Sequence, residues 1–569
     1  MTALLSRARV EEIESALGDP TDEGNPYGYR RLLAADRAAV PFAAAEELLD
    51  GLGTSAEYVP RHLGGRLESF ENLVRVMRPL FRRDVGLGMG YGMHTFMAAS
   101  DVWIAGTPAQ QERMAELLLR GARAAIAQHE TAHSNDYVRS QITARPGAGA
   151  LLLTGAKPMI NNLGRAEALV LFCRTDPAPG RHSHSVLLLD PRELPPGRAT
   201  VLPRHHAVGL RGCLWHGIAF DDCPVPEPEL LGAAGSGVAT ALRSFQVSRT
   251  VIASLALAAV DTSLRTAVQF DLDRGARGSW TDPAKIDQAL VNAFVNLLLY
   301  DALAVVATRA LHLLPEQTSV YSSSLKYLLP KVLIKTMYDL SVVLGAGIYT
   351  RDGNLGIFQK HIRDVPVLSL GHAGTVACQA TVIPQLPWLA RGSWFAEAEP
   401  PAELFRPGAD LPPFDPARLA LACGRDSLSA ALPAFADTAP GTSPAARALH
   451  DLVVRLTGEL RDLRRRVLAL SDADRAGPRG AASFPLVDRY ALLLAAAAVA
   501  GVHRHARGGT DPFLADPSWA AVALHRIARQ LGTRVDDLPP ECVTRVRHEL
   551  RLRFADRRGF DLHNTPVPG

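Results

Sequence analysis

Residues 209–232 read GLRGCLWHGIAFDDCPVPEPELLG. Inside that stretch, GIAFDDCPVP is a short apolar segment bounded by Gly, Asp and Pro. LLLTG, ALVLFCRT and HSVLLLD, all upstream of it, have the same form. Short apolar runs separated by turn formers mark strands. The stretch therefore closes a small β domain, expected over residues 124–238. On both sides of it the pattern is helical. Residues 1–123 read as an N-terminal helical domain, where RMAELLLRGAR carries apolar residues at helical spacing. GTPAQQERMAELL opens a helix with Thr107 as N-cap and Pro108 at the first helical position.

Downstream, long stretches rich in small apolar residues predict a helix bundle over residues 239–395. Pro330, inside YSSSLKYLLPKVLIKTMYDLSVVLGAG, is expected to kink or end its helix, because proline lacks the N–H of the helical ladder. EAEPPAELFRPGADLPPFDP is proline-rich and reads as a linker, residues 396–415. Residues 416–569 form an additional helical domain, with helices expected in ALHDLVVRLTGELRDLRRRVLAL, PSWAAVALHRIARQLG and CVTRVRHELRLRF. The fold class is α+β and mainly α: helices, a central small β domain, a bundle, then extra helices. No internal repeat of fixed short period is visible.

Bulk properties remove several function classes. A chain of 569 residues is too long for one core. With 61 basic and 58 acidic residues, the net charge of +3 argues for neither nucleic acid nor a membrane surface. The six cysteines form no CxxC pair, so no metal site and no disulfide scaffold is expected. A reducing cytoplasm fits. MTALLSRARVEEIESALGD has acidic residues where a signal peptide is apolar. YALLLAAAAVAGV, residues 490–502, is too short to span a bilayer and reads as a buried helix. GLGMGYGMH, residues 86–94, lacks the Lys-Ser/Thr of a P-loop.

Several motifs in order resemble one family, the flavin-dependent acyl-CoA dehydrogenases and acyl-CoA oxidases. QHETAHSNDYVRSQITA (128–144) stands where that family has TEPGAGSD followed by a T-x-A strand, and keeps Glu130 and Asp136 of it. LLLTGAKPMINN (151–162) resembles n-G-x-K-x-W-I-T-N. Residues 209–232 resemble G-x-R, v-x-F-d-x-V-P and l-L-G in series. Arg249 opens a long helix, RGARGSWTDPAKIDQAL (274–290) follows, and LGAG (344–347) and IRDVP (362–366) close the series. The resemblance covers roughly residues 25–390; the tail is similar, more loosely, to the oxidase C-terminal helical domain.

The resemblance implies a helical domain, a β domain and a four-helix bundle, with FAD between the β domain and the bundle. It implies an acyl thioester substrate, on CoA or on an acyl carrier protein, and a homodimer or homotetramer, with a mixed oligomer as the alternative. It assigns ring contacts to His129, Asn135 and Asn161, and the ring cover to Met159. Here this chain departs from the small hydroxyl residues and the aromatic of the family. Isoalloxazine needs hydrogen-bond donors where negative charge develops on reduction, and Asn and His retain that capacity. Met supplies a polarisable wall. By the same resemblance, Arg277 and Gln288 serve the pyrophosphate of a neighbouring subunit. Gly345 and Gly347 admit the dinucleotide, and Met89 and Met93 line the acyl pocket.

SLGHAGT, residues 369–375, holds the departure that matters most. The family's catalytic carboxylate stands in a Y-E-G-T turn; aligned on Gly374 and Thr375, its place is taken by Ala373. Some members put the glutamate just before the helix-opening arginine, and here Ser248 precedes Arg249. Three readings stay open. His372 is the base, since imidazole titrates near working pH. Or the chemistry is not dehydrogenation, as in same-fold flavin monooxygenases. Or the chain is a catalytically silent partner subunit.

Overall fold

The computed structural model describes the chain except residues 1, 134–135, 227–228, 276–282, 370–373, 472–473, 475–480, 507–510 and 569. Its longer helices are numbered in chain order. Helices α1 (Thr2–Leu17), α2 (Tyr29–Ala38), α3 (Ala43–Gly51), α4 (Phe70–Arg83), α5 (His94–Ala105) and α6 (Pro108–Leu119) come first. Thr107 caps α6 as expected: its hydroxyl accepts from Gln110 N while the Gln110 side chain accepts from Thr107 N, with Pro108 at the first turn.

Eight strands follow: β1 (Arg123–Ala127), β2 (Thr143–Pro146), β3 (Leu151–Asn161), β4 (Ala166–Arg174), β5 (His184–Leu189), β6 (Ala199–Val201), β7 (Trp215–Val225) and β8 (Leu230–Leu231). They form one sheet in the order β6-β7-β3-β2-β4-β5-β8, and β1 pairs with β4 in parallel. The register of β3 on β7 shifts between Leu153 and Gly155 and again between Lys157 and Ile160. Gly155 has φ +119°, and a Cβ there would lie 3.0 Å from Ile142 Cα, so only glycine fits this irregularity. Beyond it, Lys157 and Asn161 turn inward while Met159 turns outward.

The bundle is built from α7 (Gly237–Gly275), α8 (Pro283–Leu313), α9 (Thr318–Leu344), α10 (Gly353–Asp364) and α11 (Thr375–Val382). Helix α9 runs through Pro330, against expectation. All residues from Thr318 to Pro330 are buried, so packing on several sides holds the helix across the missing hydrogen bond. The tail contributes α12 (Pro444–Leu468), α13 (Phe484–Ala506), α14 (Pro517–Gln530) and α15 (Pro540–Ala555).

The apolar core of the helices is continuous from Val10 to Leu562, and the sheet has a second core of its own. The extra helices thus share the bundle's core. The segment read as a linker is likewise fixed. Arg309 of α8 donates to Glu403 O (2.7 Å) and Ala409 O (3.0 Å), Gly408 N donates to Glu71 Oε1 (2.8 Å), and Leu404 and Phe405 are buried. A buried arginine, paired with Glu71 and donating to two carbonyls of the stretch, makes it a packed strap, which its proline content alone did not reveal. The extreme tail is pinned similarly, by Arg78 to Asp561 (2.9 Å) and by Leu562 N to Asp301 (2.8 Å).

Among the described residues, four stretches are helical, long and apolar enough to cross a membrane: Gly237–Gly275, Pro283–Leu313, Pro315–Tyr349 and Phe484–Ala506. The last contains the run judged too short from sequence, because the helix extends to 23 residues. Three of the four bury most of their apolar window inside the protein; Pro315–Tyr349 buries only 39%.

Candidate active site

The β domain meets the helices around the loop after β1, the end of β3 and the start of α5. The loop is shaped by Glu130. Its carboxylate accepts from Ser140 Oγ (2.6 Å), from Gln141 N (2.9 Å) and from Lys157 Nζ (3.1 Å). Lys157 is fully buried and also donates to Ser140 Oγ (2.7 Å) and Gln128 O (3.0 Å). Burial opposes the charge on Glu130, but the Ser140 hydroxyl and the Lys157 ammonium outweigh it and hold the carboxyl below its ordinary range. Burial also lowers the Lys157 ammonium, against the pull of Glu130. The pair is a brace that fixes Gln128 and residues 140–142 on β3.

At the end of β3, Asn161 stands opposite Trp215 of β7. Its amide donates to Gly90 O (3.3 Å), and Asn162 donates to the same carbonyl (2.8 Å). Gly90 belongs to a π-helical turn, Gly88–Met93, that leads into α5. The turn's glycines serve packing: a Cβ on Gly88 would lie 2.4 Å from the Phe81 ring, and one on Gly92 2.3 Å from the Tyr58 hydroxyl. Met89 and Met93 are buried. His94 follows, with Nδ1 2.7 Å from Met89 O. A carbonyl only accepts, so Nδ1 carries the proton and Nε2 the lone pair. Burial lowers the His94 imidazole to about 4, so the ring is neutral at pH 7. Its face meets Trp215 edge-on at 5.2 Å. Asn161 Oδ1 and Trp215 Nε1 are buried with no hydrogen-bond partner among the described residues.

A second polar pocket lies in the seam between α5, α7 and the end of β1. Asp101 of α5 is fully buried. Gln128 Nε2 approaches it at 3.4 Å and the Ser244 hydroxyl of α7 bonds to it. Ser100 and Ser244 share a hydrogen bond of 2.9 Å. One turn along α7, Ser248 is fully buried, beside Arg249, which donates to Ser323 Oγ of α9 (3.3 Å). Lys326 of α9 donates to Leu368 O (2.5 Å), and burial pushes its ammonium down to about 8. The bundle thus brings cationic groups to the foot of the SLGHAGT segment.

The sequence-expected residues fall into three groups. His372, Ala373, Asn135 and Arg277 lie outside the described residues. His129, Met159 and Asn161 lie on the sheet side: the ring nitrogens of His129 are enclosed, Met159 is 43% exposed and Asn161 is buried. Gln288, Gly345 and Gly347 gather at the far end of the bundle. Asn296 of α8 bonds Thr336 of α9 (2.9 Å), which brings Gln288 level with the end of α9 in this antiparallel pair. Gln288 is exposed and, among the described residues, bonds Asn292 (3.0 Å). Gly345 has φ +55° with open space at its Cβ position, and Gly347 adjoins Phe270. Thr375 opens α11 after Gly374. His94, Asp101, Gln128 and Trp215 were missed. Only Asp101 left a signal in the sequence, as the single acidic residue of HTFMAASDVWIA.

Residues 235–385 match the acyl-CoA dehydrogenase C-terminal domain family. The chain is similar to acyl-CoA dehydrogenases in this stretch and shares their fold. It is 27% identical over 238 residues to the human mitochondrial short-chain specific acyl-CoA dehydrogenase, a match covering 42% of this chain and 57% of that one. It is 26% identical over 335 residues to an acyl-CoA dehydrogenase of Bacillus subtilis (strain 168), covering 57% and 84%. Among solved structures, PigA with FAD and proline superposes with a TM-score of 0.59 at 18% identity, over 67% of this chain and 97% of that one. This acyl-CoA dehydrogenase fold occupies about two thirds of the chain, and the packed tail is additional.

The side chains present fit a flavin edge. His129, Asn161 and Trp215 carry N–H donors, and Asn161 Oδ1 and Trp215 Nε1, without partners among the described residues, are suited to a heterocycle with both donors and acceptors on its rim.

Proposed function

We propose that the protein is an FAD-dependent oxidoreductase acting on an acyl thioester, carried on CoA or on an acyl carrier protein. The observation that carries this reading is the Asn161–Trp215 pair, which leaves a buried acceptor and a buried donor unsatisfied among the described residues beside His94. Unsatisfied buried polar atoms are costly and persist where a ligand completes them. FAD would supply a two-electron acceptor for hydrogen leaving the acyl chain. Asn161, His129 and Asn135 would hold the ring edge and Met159 would lie along its face. The Glu130–Lys157 brace keeps that loop in register. The π-helical turn and α5 form the acyl wall, where Met89 and Met93 exclude water.

A second copy of the chain completes the site in this reading. Tyr338, Val342 and Tyr349 expose 64%, 66% and 81% of their surface along the outer side of α9 and just beyond it. An apolar strip of this kind beside Gly345 and Gly347 suits a homo-oligomer, in which Arg277 and Gln288 serve a neighbour's dinucleotide. We read the compartment as reducing cytoplasm, in keeping with six unpaired cysteines, and the altered ring contacts as a mark of a specialised biosynthetic substrate.

The absence of a carboxylate at positions 248 and 373 favours a second reading, a same-fold monooxygenase. The visible spectrum of the purified protein, recorded anaerobically before and after adding acyl thioesters, separates them. Bleaching of a bound flavin by thioester alone supports dehydrogenation. A flavin that bleaches only with an external reductant supports the monooxygenase. Failure to bind FAD overturns both and leaves the silent partner subunit.

A further inference from the structure

Asp101 has no assigned role and an unusual environment. It is fully buried, yet among the described residues no basic side chain bonds to it. Its polar neighbours are neutral: Gln128 from β1's end at 3.4 Å, and Ser244 from α7. The nearest charges on the β1 side, Lys157 and Glu130, satisfy one another behind Gln128. On the α7 side, Arg249 is turned to Ser323 and the Phe245 ring. Among the described residues, Oδ1 of Asp101 has no partner, nor does Gln128 Oε1, nor Ser248 Oγ one turn along α7 from Ser244. A structural carboxylate at this depth would be paired. Burial pushes the Asp101 carboxyl up to about 7, where a general base is most effective.

Position also counts. Ser244 and Ser248 lie one turn apart on α7, so the carboxylate on α5 reaches across the seam toward the place where a base just before Arg249 would stand. The geometry points to Asp101 as the general base of this protein, supplied from α5 in place of the carboxylate missing at Ser248 and Ala373. The inference rests on the acyl thioester reading of the site. In the step, the Cα–H bond breaks and its proton moves to Asp101 Oδ1. The electron pair released forms the Cα=Cβ bond, while the Cβ hydrogen leaves with its pair for the two-electron oxidant, a flavin. Gln128 and Ser244 orient the carboxylate, and the apolar faces of α5 keep bulk water away from it.

The test is α-proton exchange, which reports the base without requiring turnover. The purified full-length protein, with and without added FAD, is incubated in D2O with a panel of acyl-CoA and acyl-pantetheine thioesters, butyryl-CoA among them. Mass spectrometry follows deuterium entering Cα. The wild-type rate should rise about tenfold per pH unit up to about pH 7 and then level, and Asp101→Asn should slow it about 10²–10⁴-fold. Asp101→Glu, which keeps a carboxyl, should retain measurable exchange and guards against a variant that merely fails to fold. Exchange by Asp101→Asn within threefold of wild type overturns the proposal, as does no exchange by the wild type. Flavin bleaching is scored separately. Exchange that depends on Asp101 without bleaching would keep the base and sink the oxidoreductase reading; bleaching unaffected by Asp101→Asn would do the reverse.

Discussion

Two buried carboxylates flank Gln128, and the protein treats them in opposite ways. Glu130 accepts bonds from Ser140, Gln141 N and Lys157, and its carboxyl is held below its ordinary range. Asp101 receives one long bond from Gln128 and one from Ser244, and its carboxyl is raised. Residue type and burial are nearly the same, so the difference lies in the partners. A satisfied carboxylate is a structural member. An unsatisfied one costs stability, and a fold keeps that cost where it serves chemistry.

The comparison breaks most visibly at Lys157. Lys157→Met leaves Glu130 buried beside neutral donors only, and removing one partner of a buried pair costs about 3–5 kcal/mol. Thermal melts should show it at pH 7. The loss should shrink as pH falls and Glu130 is protonated. The folded-state carboxyl is lowered, so the stability it contributes is present above the unfolded value near 4.5 and disappears as pH falls through the folded one. A melting temperature equal to wild type would show that the brace is not energetic.

Asp101→Asn should act with the opposite sign. Here the folded-state carboxyl is raised from 3.8 to about 7, so wild-type stability falls as pH rises between those values. The variant escapes that loss. Its advantage should be small at pH 4 and grow to about 4 kcal/mol by pH 8. Denaturant titrations at both pH values check it. A variant less stable than wild type at pH 8 would mean that Asp101 is paired after all, and the contrast between the two carboxylates would fall.

How much of this was legible in the sequence follows from the same residues. The strands showed through their turn formers, and the cap of α6 through Thr107 and Pro108. Glu130 was visible as a surviving letter of a family motif, but its job required seeing Lys157 beyond the bulge at Gly155. Proline signals misled twice. Pro330 sits in a helix buried on several sides, and the 396–415 strap is held by Arg309 through main-chain carbonyls that leave no sequence signature. Asp101 and His94 were overlooked for a related reason. They belong to a helix that is apolar almost throughout, and periodicity reads such a helix as packing. What gives them chemical interest is the register of α5 against α7 and β3, set by contacts distant in the chain.

Ser140 and Ser244 offer the finest cut, because each is the hydroxyl donor of one carboxylate. Ser140→Ala removes the 2.6 Å bond to Glu130 and also a partner of Lys157. Hydrogen bonds to charged groups contribute about 1.5–3 kcal/mol, so the loss should be of that order at pH 7. Ser244→Ala removes a bond to a carboxyl that is half neutral at that pH, and frees Ser100 from its partner. Its cost should be nearer 1 kcal/mol. Its more telling effect is on titration: without the Ser244 donor the Asp101 carboxylate is less favoured, and the pH at which α-proton exchange levels off should move upward. Ser140→Ala should leave that pH in place. If both serines shift the profile alike, Gln128 couples the two carboxylates, and they form one network across the end of β1.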